Sequence, residues 1–108
     1  MSKAGNLITL QTLLVDALDT LKALDITCIP VAQLSSVTDI MIICTATSAR
    51  HAKALAYHIT IILKAANIVA RSEGVENAEW VLIDADDIII HIMQAETRAF
   101  YDLEGLWK

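Results

Sequence analysis

Asp84, Asp86 and Asp87 come closest to a catalytic cluster in this sequence. Asp84 and Asp86, two apart on a strand, would project to one face, where they could hold a magnesium ion for phosphoryl or nucleotidyl transfer. Such sites usually add a third carboxylate and a glycine-rich turn for the phosphates. The comparable turn here, Thr45-Ala46-Thr47-Ser48, has no glycine to let the backbone approach a phosphate closely. Aspartate also forms tight turns through local hydrogen bonds, which accounts for Asp86 and Asp87 without a metal.

The histidines add little to a metal reading. His51 and His58 are seven apart, about two helical turns, too far for one ion without other ligands. Neither H-x-x-x-H nor H-E-x-x-H is present. His91 lies in an apolar strand, with Ile89, His91 and Met93 alternating to one face. No serine or cysteine has a context that marks it as a nucleophile. Cys28 and Cys44 sit in apolar runs and form no C-x-x-C, so they read as small buried hydrophobes in a reduced compartment. The expectation is a chain with no catalytic residues, no metal and no cofactor.

Charge separates the chain into two parts. Residues 73–108 hold Glu73, Glu76, Glu79, Asp84, Asp86, Asp87, Glu96, Asp102 and Glu104 against Arg98 and Lys108, a net charge of −7. The first 72 residues carry a net +2, and the whole chain −5. An acidic surface interrupted by Trp, Tyr and Phe suits a basic protein partner: charge steers the encounter and aromatics anchor it. It does not suit a nucleic-acid backbone. An ordinary solvated acidic surface accounts for the same composition. Arg50, Lys53, Lys64 and Arg71 form a basic region too sparse for an RNA-binding face, with only Tyr57 interleaved.

The elements that position these residues follow from periodicity. Leu7, Leu10, Leu14, Leu18 and Leu21 recur at steps of three and four, predicting an amphipathic helix with Asn6 as its N-cap. Asp25 to Val31 reads as a strand, and Pro30 puts it at an edge or ends it there. Leu34 to Asp39 is a polar turn, and Ile40 to Ala46 a central strand buried on both faces. A second helix runs from the N-cap Ser48 to about Ala66, burying Ala52, Leu55, Ile59, Ile62 and Ala66, with Asn67 closing it in a left-handed conformation. Val69 to Arg71 reads as a short strand. Trp80 to Asp84 and Asp87 to Met93 are strands joined by the hairpin connection Ala85-Asp86, followed by a helix from Gln94 or Ala95 to about Leu103.

This order predicts an α/β class, a mixed sheet flanked by helices, in one domain over residues 1–108. Gly and Pro are scarce (three and one) while 56% of residues are hydrophobic, which argues against disorder. No run reaches the roughly 18 apolar residues that span a bilayer. The N-terminal stretch is interrupted by Gln11, Asp16 and Asp19, unlike a signal peptide, so a cytoplasmic location is expected.

Together these residues resemble one family, the ribosomal silencing factors, also called the Iojap family. The resemblance is carried by Ser35-Ser36-Val37-Thr38-Asp39, then Met41 to Ser48 with Arg50-His51, then Glu73-Gly74 and Glu79 to Asp84. It closes with Asp87 to Met93, Arg98 and Tyr101 to Trp107, and so spans essentially the whole chain in order. The family pattern usually has Gly where Ala46 and Asp86 stand, an acidic residue at Pro30, and often an aromatic at Ile40 or Met41.

The resemblance implies a translational repressor and not an enzyme. Family members bind the large ribosomal subunit through its fourteenth ribosomal protein and block joining with the small subunit. Organellar relatives assist large-subunit assembly, and homodimers occur. The implied fold is similar to the nucleotidyltransferase-like α/β fold without its catalytic residues. The remaining alternative, a metal-dependent nucleotidyltransferase, would use Asp84 and Asp86. For the docking function, Trp80, His91, Met93 and Tyr101 are expected to supply contact area, with Glu73, Asp84 and Asp87 pairing with basic side chains of the partner. No membrane and no nucleic-acid specificity are expected.

Overall fold

In the computed structural model, residues 3–36 and 38–107 are described, with side chains for 7–36 and 38–106. The leucine stripe forms α1 (Lys3–Thr20), which buries Leu14, Ala17 and Leu18. The helix begins at Lys3, so Asn6 lies inside its first turns and not at the cap. Leu21, the last leucine of the predicted stripe, follows the helix end and packs on the core from the turn.

The strands are β1 (Leu24–Pro30), β2 (Ile40–Ala46), β3 (Arg71–Glu73), β4 (Trp80–Asp84) and β5 (Ile88–Gln94), in the sheet order β1-β2-β5-β4-β3. Among the described residues, only β2 and β5 pair in parallel; the other pairs are antiparallel. β1 ends at Pro30 on the sheet edge, as the missing N–H requires. Central β2 has six of its seven residues buried, as its unbroken apolar run demands.

The parallel connection from β2 to β5 runs through α2 (Ala49–Ala65), β3 and β4. Ser48 caps α2, its side chain accepting from the His51 N–H. Asn67 takes up φ 60° after the helix, the left-handed conformation expected of it. The buried stripe of α2 is Ala52, Leu55, Ala56, Ile59 and Leu63, so Leu63 is inside while Ala66 is exposed and Ile62 half-buried. The observed stripe keeps the i, i+3, i+4, i+7 spacing of a 3.6-residue turn, whereas the predicted row of alternating threes and fours drifts off that face by Ile62, and Ala66 lies past the helix end.

α1 and α2 cover one sheet face, closing the main core over Ile42, Cys44, Val81, Ile83, Ile88, Ile90 and Ile92. The opposite face carries a smaller cluster: Ile29, Val31, Met41, Ile43 and Met93, with Trp80 and Leu103 packed against it. Strand alternation sends successive side chains to these two faces.

Besides the start of α1 and one-residue shifts of β1 and β5, three segments differ from the sequence reading. The short strand lies at Arg71–Glu73 and not at Val69–Arg71, because the ladder pairs Arg71 with Asp84 and Glu73 with Leu82, then stops at Gly74 (φ 81°). The β4–β5 connection is centred on Asp86-Asp87 and not on Ala85-Asp86: Ala85 N–H donates to the Ile88 carbonyl, and Asp86 takes the positive φ of 70°. The C-terminal helix is two helices, α3 (Ala95–Tyr101) and α4 (Leu103–Trp107), broken at Asp102. Asp102 is left-handed (φ 44°), and its carboxylate accepts the Gly105 N–H, capping α4.

Candidate functional site

The ladder register decides which candidate residues share a face. Trp80 pairs with Met93, Leu82 with His91, and Asp84 with Ile89; Glu73 pairs with Leu82. Directly paired residues point to the same side. Val81 and Ile83 face the helices, so Glu73, Trp80, Leu82, Asp84, Ile89, His91 and Met93 all occupy the opposite face. Tyr101 joins them from α3, its ring 4.8 Å from that of Trp80.

These residues form a layered surface. Met93 is 0% exposed and His91 5%, so both form its floor. His91 and Met93, both expected to supply contact area, are thus covered in this structure, with the Trp80 side chain and α4's Leu103 packed on the Met93 cluster. Trp80 Nε1 donates to His91 Nδ1 at 2.9 Å, holding the indole over the histidine. Burial lowers the His91 pKa to about 4, so the imidazole is neutral and accepts that bond. A shallow groove of about 330 Å³ lies between Glu73, Gly74, Trp80 and Leu82. A Cβ on Gly74 would come 2.2 Å from the Trp80 carbonyl oxygen, so only glycine lets the two strands meet beside it.

The carboxylates divide by role. Glu73 is exposed at the sheet margin. Asp84 Oδ1 accepts the Asp86 N–H at 3.0 Å, so part of its function is to close the turn. Asp87 lies in that turn, where its carbonyl receives the N–H groups of Asp39 and Ile40 and starts β2. It is at the end of the surface and not on the sheet. Among the described residues, no three His, Cys, Asp or Glu side chains group as metal ligands.

Arg98 holds α3 and α4 onto this face. Its Nε donates to Glu104 Oε1 at 2.8 Å, Nη1 to the Asp25 carbonyl and Thr45 Oγ1, and Nη2 to Thr27 Oγ1. The Asp25 carbonyl is available because β1 bulges between Leu24 and Thr27, setting Asp25 and Ile26 against Cys44. Sequence reasoning placed Arg98 only as a family match. Its role was hidden because its partners on β1 and β2 lie 53 to 73 residues away. Leu82 and Ile89 were also missed as surface residues, although the alternation Trp80, Leu82, Asp84 already carried the signal.

The other candidates are structural. His51 Nδ1 accepts the Thr47 N–H at 2.9 Å, and its Nε2 lies 2.8 Å from the Leu21 carbonyl, joining the start of α2 to the end of α1. Cys28 is half-buried and Cys44 buried, both free; burial, partly offset by Arg98, pushes the Cys44 thiol up to about 12. Among the described residues no helix is long and apolar enough to cross a membrane.

Comparison with known proteins gives consistent similarities. The family described as "Ribosomal silencing factor during starvation" matches residues 5–108. A ribosomal silencing factor of Zymomonas mobilis is 44% identical over 99 residues, covering 91% of this chain and 74% of the relative. A mouse protein named for mitochondrial assembly of the ribosomal large subunit is 34% identical over 101 residues, covering 88% of this chain and 43% of that protein. A crystal structure of a Chromobacterium violaceum protein matches with a TM-score of 0.89 at 39% identity, covering 92% of this chain and 83% of that one.

Proposed function

The chain belongs to the ribosomal silencing factor family, and from that premise we propose that it binds the large ribosomal subunit through its fourteenth ribosomal protein and sterically blocks joining with the small subunit. The observation that supports this most is the single surface shared by Glu73, Trp80, Leu82, Asp84 and Tyr101 on the sheet face away from α1 and α2. Half-buried Trp80 and exposed Tyr101 are the anchors; Glu73 and Asp84 meet basic side chains of the partner. His91 and Met93 support the anchors from beneath, and Asp87 lies at the surface's end.

In this reading the protein acts in the cytoplasm, as a binding protein without catalysis. Its effect comes from occupying a face, so affinity and position are the whole mechanism. Self-association through the same apolar face would compete with docking.

Sucrose-gradient sedimentation of purified small and large subunits, at magnesium that promotes association, tests this directly. The protein is expected to travel with the large subunit and reduce the joined peak. Its absence from the large-subunit fraction at low salt would overturn the proposal. A second reading, assistance in large-subunit assembly, is favoured by the name of the mouse relative. Co-sedimentation with no effect on joining would support that reading instead.

A further inference from the structure

A cavity of about 760 Å³ opens beyond the ends of β2 and β5, well within the size of a ligand site. Ala46 and Gln94, the last residues of these two parallel strands, both line it. β2 leads into α2 on the main-core face, and β5 into α3 on the opposite face. A crevice where adjacent parallel strands send their helices to opposite sides is where open α/β sheets bind ligands.

The chemistry of this crevice is opposite to that of a phosphate site. Glu79 and Glu96 line it, and no lysine, arginine or histidine does so among the described residues. Two donors near the start of α2 are engaged, Thr47 N–H with His51 Nδ1 and His51 N–H with Ser48 Oγ. No glycine lines it either. Gln94 fixes the Glu79 side: its N–H donates to the Glu79 carbonyl and its Nε2 to the Ala78 carbonyl. The rest of the lining sets Thr45, Thr47 and Thr97 beside the exposed rings of Phe100 and Tyr101, 81% and 51% open to solvent.

We infer that this crevice seats an arginine side chain from a basic protein segment, its guanidinium facing Glu79 and Glu96 and stacked against Phe100. Planarity and bidentate donors favour arginine over lysine between two carboxylates and an aromatic wall. A protein segment is favoured over a small cation because the crevice continues into the docking surface: Tyr101 packs on Trp80 at 4.8 Å and on Phe100 at 5.0 Å. The inference rests on the docking reading for the partner's identity and extends it with a specificity pocket.

The test is calorimetric titration of the full chain with a short peptide alternating arginine and glycine, beside its neutral citrulline counterpart. The citrulline peptide and the E79Q/E96Q double variant should each lose about tenfold or more in affinity. F100A should lose several-fold, and E76Q, an exposed loop carboxylate outside the crevice, should bind like wild type. Equal binding by E79Q/E96Q and wild type would overturn the assignment. So would free spermidine binding as tightly as the peptide, which would mark a small-cation site. Large-subunit co-sedimentation separates the two readings. Wild type and E79Q/E96Q pelleting equally would remove the crevice from the interface. Failure of wild type to pellet, with the peptide effect intact, would overturn only the ribosomal docking.

Discussion

Trp80 Nε1 donates to Nδ1 of His91 across 2.9 Å, so the indole that anchors the open face is oriented by a buried, neutral imidazole. Because Nδ1 is the acceptor, the proton of neutral His91 resides on Nε2. Protonating Nδ1 would remove the acceptor and put a charge under the indole.

This gives a pH dependence of known sign. The His91 pKa is lowered from 6.5 to about 4 by burial, so between these values the unfolded chain binds the extra proton. The stabilising contribution is complete above pH 6.5 and is lost as pH falls through about 4, on the order of 3 kcal/mol. Urea unfolding from pH 7 to pH 4 should show this slope. H91Q should flatten it while lowering stability at pH 7. An unchanged slope in H91Q would assign it to other groups.

Gly74→Ala should destabilise by about 2–4 kcal/mol, since φ is 81° and the added Cβ meets the Trp80 carbonyl oxygen. The damage falls beside an anchor residue, so Trp fluorescence should shift together with the unfolding midpoint. A variant as stable as wild type would contradict the close approach.

Arg98→Ala should cost about 3 kcal/mol or more, because it removes the ion pair with Glu104 and releases three oxygens on β1 and β2. Arg98→Lys should recover little, as one ammonium cannot span four acceptors in a fork. Hydrogen exchange should quicken in α3 and α4 before it does in β2 and β5. Uniform quickening across the sheet would mean the helices are not separately held by this residue.

Trp80→Ala and Asp84→Lys should each weaken attachment to large subunits, Trp80→Ala through lost anchor area and Asp84→Lys through reversed charge. Attachment should also weaken with added salt, since exposed pairs are screened over roughly 8 Å at physiological ionic strength. Co-sedimentation across a salt series reads both effects. Unchanged binding of both variants, with intact circular dichroism, would remove these residues from the interface.

Much of this molecule was legible before any coordinates. β2 and β4 matched at both ends, because an apolar run bounded by turn residues and an alternating run are local signals. The Ser48 cap and left-handed Asn67 were equally local. The boundaries that moved had non-local causes. β3 was positioned by its register with β4, and the β4–β5 turn by which aspartate accepted a positive φ. The break at Asp102 was set by a side chain that caps the next helix.

The site divides the same way. By itself the sequence determined the family, the acidic and aromatic character of the last third, and the alternation that sends Trp80, Leu82 and Asp84 to one side, because composition and strand period are properties of the chain. Only the tertiary structure decided that Met93 lies covered in the floor, that Arg98 fastens the C-terminal helices, and that Glu79 and Glu96 share a crevice. Burial, long-range hydrogen bonds and shared cavities depend on which segments the sheet order brings together, and that pairing is not written in any one segment.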